Sequence, residues 1–189
     1  MPVSPTSEPR WHQQHCAPYS LLNGVLRSWL LDRGSLTERL VRLSQGHFRV
    51  QILHQGMARP RPSEVRTLGM GQRQQALIRE VILLGHDSPW VYARSVIPHS
   101  SLTGRLRSLR KLDTRPLGAL LFSDPHMERG PIELAYQDTR STPLPAPLQD
   151  LQAVLAGRRS LFWLDDKPLL VCEMFLPDFP PSTPYNNPL

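Results

Sequence analysis

The sequence predicts an α+β fold, a single domain in which helices pack against an antiparallel sheet. Two pairs of strand-like apolar stretches are each joined by a tight link. Residues 75–84 meet 90–97 across Gly85-His86-Asp87-Ser88, and 159–164 meet 169–176 across Asp165-Asp166. Such short links join antiparallel neighbours, because a parallel connection needs a crossover of about a dozen residues or more. Helical periodicity gathers before the first strand pattern and between 100 and 122, rather than following every strand.

The elements follow in order. Residues 1–16 read as a flexible tail ahead of a domain at 17–178. From 18 to 32, Leu21, Leu22, Val25, Leu26, Trp29 and Leu30 recur at helical spacing. Ser35-Leu36-Thr37-Glu38 is a capping box opening a second helix through Leu40, Val41 and Leu43. Residues 47–54 alternate Phe48, Val50 and Ile52 with polar positions, the pattern of a half-buried strand. Residues 56–72 have no period and read as a loop. After the first hairpin, 100–112 is a basic helix and 115–122 a short helix with proline at its start. Residues 127–136 read as a strand, 137–148 as a proline-rich insertion, and 149–156 as a short helix before the second hairpin. Residues 179–189, rich in proline, form a flexible C-terminal tail.

Composition bounds the function. With 189 residues, 40% of them hydrophobic, the chain can bury a proper core. A net charge of +6 and a pI near 10 favour anionic partners without separating nucleic acid from a small di-acid. Cys16 and Cys172 sit in unrelated contexts and read as free thiols in a reducing compartment. The first residues lack the apolar core of a secretion signal, and no run of 18 apolar residues occurs. The expectation is a soluble, cytoplasmic protein without stable membrane insertion.

Two charged residues stand out. The run from Leu169 to Leu176 is apolar except for Glu173, so it reads as a strand covered on both faces. A carboxylate there must be paired or hydrogen-bonded. Arg79 lies in an equally apolar strand, sharing a face with Leu77, Val81 and Leu83. If His86-Asp87 is the turn, Arg79 lies opposite Arg94, and two arginines facing one another want an anion between them. An odd-length loop would instead put them on opposite faces. Glu173 can pair with Arg79, or with Arg158, which falls opposite it if Asp165-Asp166 is the turn. Structural ion pairs and a ligand site both remain open on these grounds.

Other chemistry fares worse. The seven histidines show no metal-ligand spacing, and two cysteines do not make a zinc site. Gly69-Met70-Gly71 lacks the context of a nucleotide loop, and there is no Gly-x-Ser-x-Gly elbow. The basic run 105–111 reads as a solvated helix face, not a nucleic-acid site.

The chain resembles the chorismate pyruvate-lyases. The resemblance rests on residues 29–39, 78–81, 89–90 with 93–98, 114–118, and 157–160 running into 167–177, in the right order across 18–178. It implies a sheet of about six antiparallel strands with helices against it, and a closed internal site under helical flaps. It also implies elimination of pyruvate from chorismate to give 4-hydroxybenzoate, the first committed step toward ubiquinone. Loss of pyruvate aromatises the ring and runs downhill, so no metal or cofactor is expected, and the expected state is a monomer. By the same resemblance Arg79 binds the ring carboxylate, backbone groups of Leu36 and Leu117 contact the ligand, and Glu173 hydrogen-bonds the para hydroxyl. Position 36 departs from the methionine familiar in such enzymes, a change that a main-chain contact tolerates. Chorismate carries two carboxylates, and Arg94 is the expected second cation. The alternative is a non-catalytic domain of the same fold that binds an aromatic carboxylate, as in effector domains of bacterial regulators. Those come with a helix-turn-helix domain, for which the stretch before the first helix has no room, so the enzyme is favoured.

Overall fold

A computed structural model describes residues 8–180. Its centre is one eight-stranded sheet, wholly antiparallel, in the order β1-β6-β7-β8-β4-β3-β2, with β5 paired to β7. The long strands are β2 (Phe48–Ala58), β3 (Ala76–Gly85), β4 (Ser88–Pro98), β6 (Glu133–Asp138), β7 (Val154–Leu164) and β8 (Lys167–Phe175). These correspond to the six expected. The other two, β1 (His12–Gln13) and β5 (Glu128–Arg129), are only two residues long and carry no readable alternation.

Both predicted hairpins close on two-residue turns, Gly85 facing Ser88 and Leu164 facing Lys167. His86, Asp87, Asp165 and Asp166 all have positive φ, between 49° and 62°. That is the left-handed geometry matching strand twist, and Asp tolerates it better than most residues.

Helices cover one face: α1 (Tyr19–Asn23), α2 (Arg27–Leu30), α3 (Leu36–Leu43) and α5 (Leu117–Ser123), with 3-10 turns at His99–Ser101 and Gly104–Lys111. Trp29, Leu30, Leu36 and Leu40 pack there on Val81, Val91 and Phe175, while Leu106, Leu109, Leu117 and Leu121 pack on Leu77, Ile97 and Leu169. The opposite face is covered by the N-terminal segment through Trp11, by α4 (Pro62–Thr67), and by residues 139–153. Two covered faces explain why β3, β4 and β8 are apolar almost throughout.

Several expectations are corrected. Residues 8–16 are docked rather than loose: β1 pairs with β6, and Glu8 accepts hydrogen bonds from the Ser63 amide. The helical pattern of 18–32 breaks at Gly24 into α1 and α2. Residues 56–72 hold the end of β2 and α4, whose Glu64 side chain accepts from the Arg61 amide as a helix cap. Five prolines and glycines between 56 and 71 hid that short helix. Residues 100–112 are 3-10 rather than α-helical. Gly130-Pro131 divides the 127–136 strand, and 149–156 is irregular up to Val154, where β7 begins. The 137–148 stretch starts as strand and buries Thr139, Thr142 and Leu144. Phe179 is fully buried against Trp29 and Phe175. The remainder of the expected C-terminal tail, and the first seven residues of the N-terminal one, lie outside the described residues.

The largest correction concerns β4. Leu84 faces Pro89, but Leu83 faces Val91, so Trp90 is an extra residue in a β-bulge. Pro89 has no N–H to give to the ladder. The Trp90 ring lies over Gly85, where a Cβ would come 2.2 Å from it. From Val91 onward every side chain of β4 is on the face opposite to that expected from the turn.

Candidate active site

Four adjoining strands lay the floor of an internal cavity on the helix-bearing face. One cross-strand row reads Arg79, Ser95, Val171, Ser160, and the next Val81, Ala93, Glu173, Arg158. Neighbouring strands are ~4.8 Å apart, so the Arg79 and Glu173 backbones stand roughly 10 Å apart across the sheet and ~7 Å along it. Small side chains, Ser95 and Ala93, lie between them. Leu36 and Thr37 at the start of α3, and Leu117, Gly118, Leu121 and Phe122 of α5, form the roof. The two helices meet closely: a methyl at Gly118 would come 2.7 Å from Thr37 Oγ1. The enclosed volume is about 40 Å³. A cavity of ~150 Å³ accepts benzene, so an aromatic guest requires α3 or α5 to give way.

Arg79 is 2% exposed. One terminal nitrogen donates to the carbonyls of Asp113 (2.8 Å) and Arg115 (3.1 Å), fixing the turn that leads into α5. Its Nε is buried and has no partner among the described residues. No carboxylate lies within 4.0 Å of it there, and burial pushes its pKa below the ordinary arginine value.

Glu173 pairs with Arg158, directly across the β7–β8 ladder as the Asp165-Asp166 turn requires, at 2.6 Å from Nε to Oε2. Arg158, 1% exposed, also donates to the carbonyls of Trp29 and Asp32, both at 2.7 Å, and so ties the sheet to the end of α2. Among the described residues no hydrogen bond engages Glu173 Oε1. Arg79 and Glu173 therefore do not pair with each other. They share one cavity with Leu36 and Leu117.

Arg94 is elsewhere. The bulge sets it opposite Glu80 on the far face of β4, and Ser95 takes the place facing Arg79. There Arg94 grips both oxygens of Glu64 (2.7 and 3.0 Å) and one of Glu80 (3.0 Å), which also accepts from the Tyr92 hydroxyl at 2.6 Å. Burial works against its charge, but Glu64 and Glu80 more than offset this and hold its pKa above the usual value. Its anions are protein carboxylates, and it does not line the cavity. Cys172 lies on that same far face, its thiol pushed up to about 12 by burial.

Sequence reasoning passed over Arg129. It lines the cavity from β5, reaching back to Ser160 Oγ (3.2 Å) at the end of the row that begins with Arg79. A signal existed in Met127, which packs on the core and by alternation shares a face with position 129.

The family model for chorismate lyase matches residues 9–181. This chain belongs to the chorismate lyase family. A probable chorismate pyruvate-lyase of Marinobacter nauticus is 42% identical over 156 residues, covering 82% of this chain and 78% of that protein. One of Pseudomonas aeruginosa strain UCBPP-PA14 is 42% identical over 158 residues, covering 84% and 86%. Among solved structures, the effector domain of PhnF from Mycobacterium smegmatis superposes with a TM-score of 0.52 at 19% identity, over 78% of this chain and 91% of that one. That likeness is one of fold alone. Among the described residues of this chorismate lyase-family chain, no helix is long and apolar enough to cross a membrane, and no group of three His, Cys, Asp or Glu is placed to hold a metal.

Proposed function

We propose that this protein eliminates pyruvate from chorismate and releases 4-hydroxybenzoate. The observation that carries the reading is Arg79: a buried guanidinium with an unpartnered Nε, in the cavity that also holds Glu173. Buried donors are nearly always satisfied, and a ring carboxylate supplies both the missing acceptor and the missing negative charge. At the far end Glu173, already neutralised through Oε2 by Arg158, keeps Oε1 to accept from the hydroxyl para to that carboxylate. Leu36 and Leu117 are the first residues of α3 and α5. Their N–H groups are among those a helix leaves without an internal partner, so each can donate to a guest from the roof.

The chemistry asks for little more than placement. The C3–O bond breaks, the C4 hydrogen leaves as a proton, and its electron pair completes the aromatic ring. Enolpyruvate departs and takes up a proton on its methylene carbon to become pyruvate. No electrons are gained or lost, so the reaction needs no redox cofactor. The site contributes by holding the arm where the bond can break, in a space closed to water. A cation near the ether oxygen stabilises the charge developing there. The same reading places the protein in the cytoplasm, as a monomer, at the entry to ubiquinone synthesis.

The test is direct. Purified protein, dialysed exhaustively against EDTA, is given chorismate, and both products are measured. Pyruvate and 4-hydroxybenzoate in equal amounts support the proposal. Tight binding of 4-hydroxybenzoate without any pyruvate would support a non-catalytic binding domain instead and overturn it.

A further inference from the structure

We infer that Arg129 is the second cation of the site, the group that grips the carboxylate of the enolpyruvyl arm. This rests on the lyase reading above and deepens it. Among the described residues, three guanidiniums, Arg79, Arg129 and Arg158, line the cavity against one carboxylate, Glu173, so its lining carries an excess of two positive charges. That matches a dianionic substrate. The three arginines differ in how far the protein already uses them. Arg158 is held by Glu173 and two carbonyls, with no contact longer than 2.7 Å. Arg79 serves two carbonyls and keeps Nε for the ring carboxylate.

Arg129 is the least committed. Its contacts are long: Ser160 Oγ at 3.2 Å, and the carbonyls of Asp32 and Gly34 at 3.3 and 3.4 Å. No carboxylate of the described residues comes within 4.0 Å, and its guanidinium lies over the Phe162 ring, 5.1 Å from the centroid. Burial, and next the Arg158 charge, push its pKa down to about 10, with Glu173 opposing. A cation kept so poorly satisfied in a cavity is stabilised by an anion that arrives from outside.

Position supports the assignment. Arg129 reaches Ser160, at the opposite end of the row from Arg79 and one row from Glu173. In chorismate the ring carboxylate occupies one end of the molecule, and the 4-hydroxyl and enolpyruvyl ether sit side by side at the other. A substrate held by Arg79 and Glu173 therefore carries its arm toward Arg129. After elimination the arm's carboxylate leaves with pyruvate, and the aromatic product no longer needs this contact.

The experiment compares Arg129→Gln and Arg129→Lys with the wild type, measuring kcat and KM for chorismate, direct binding of 4-hydroxybenzoate, and thermal melting. The expected result for Arg129→Gln is a loss of about 10- to 100-fold in kcat/KM, in the range of one charged hydrogen bond. Product affinity should change by less than about threefold on the same basis, since the product lacks the second carboxylate. Arg129→Lys should recover part of the loss, and neither variant should melt below the wild type. Equal weakening of chorismate and 4-hydroxybenzoate, or no change in kcat/KM, would overturn the assignment. If Arg129→Gln fails to fold, the inference is wrong in treating this cation as structurally dispensable. A wild-type protein inactive on chorismate would instead overturn the lyase reading itself.

Discussion

Replacing Arg79 by methionine separates a binding residue from a structural clamp. The change removes two charged hydrogen bonds, to the carbonyls of Asp113 and Arg115, each worth about 1.5–3 kcal/mol. It also removes a guanidinium buried without a counter-ion, whose desolvation costs several kcal/mol. The two terms oppose one another, so apo stability should change by no more than about 2 kcal/mol either way. For a domain of this size that is within roughly 8 °C of the wild-type melting temperature. Binding should respond differently. A ligand at a hundred times its Kd stabilises the folded state by about 2.7 kcal/mol, a rise of roughly 5–11 °C. Benzoate and 4-hydroxybenzoate should both raise the wild-type midpoint by that order, and neither should move Arg79→Met at the same concentration. Differential scanning fluorimetry reads all of these. A variant that melts more than about 12 °C early yet keeps its ligand shift would refute the reasoning and make Arg79 a brace for the turn before α5.

Other outcomes follow from the same geometry. Arg94→Met strands Glu64 and Glu80 in the interior, which should cost about 3–5 kcal/mol and lower the midpoint by roughly 6–20 °C. The preference for 4-hydroxybenzoate over benzoate should stay as it was, measured by titration below the transition. Glu173→Gln should bind benzoate nearly as before while losing about 10-fold or more of its preference for the 4-hydroxyl compound, the size of one charge-assisted bond. Gly118→Ala brings a methyl within 2.7 Å of Thr37 Oγ1 and should lower activity by parting α3 from α5. Adding Thr37→Ala should restore it, whereas Thr37→Ser, which keeps the oxygen, should not.

Much of the floor could be read from period-2 alternation alone. It set Leu77, Arg79, Val81 and Leu83 on one face of β3, and Val171, Glu173 and Phe175 on one face of β8, as the cross-strand pairs now show. The Asp165-Asp166 turn offered Arg158 as one of two partners for Glu173, and the ladder keeps that pairing because nothing irregular intervenes. The same counting failed on β4 for want of one fact, the bulge at Trp90, which turns on how an indole ring lies over Gly85 and is invisible to alternation. Arg129 was missed because its one local cue, Met127 two residues before it on the same face, is too short an alternation to single out a buried cation. The docked residues 8–16 were missed because their partners, β6 and α4, are more than 45 positions away in sequence. Local composition cannot report a contact of that kind. The roof residues Leu36 and Leu117 came from family resemblance; neither helix start is distinguishable by pattern from an ordinary surface helix.

The bulge also constrains how this chain can change. Between the turn at His86-Asp87 and the middle of β4, the count of residues decides which chemistry faces the cavity. Removing one residue there would bring Tyr92 and Arg94 inward and abandon Glu64 and Glu80 without a cation. In the same stroke Ala93 and Ser95, whose smallness leaves room for a guest, would rotate out of the floor. Length variation in this short stretch is therefore tolerable only in twos, so that an insertion or deletion of a single residue acts on both faces of the sheet at once. A sequence aligned to this one with an odd gap between positions 86 and 92 should be expected to have a different ligand, even where Arg79 and Glu173 are both retained.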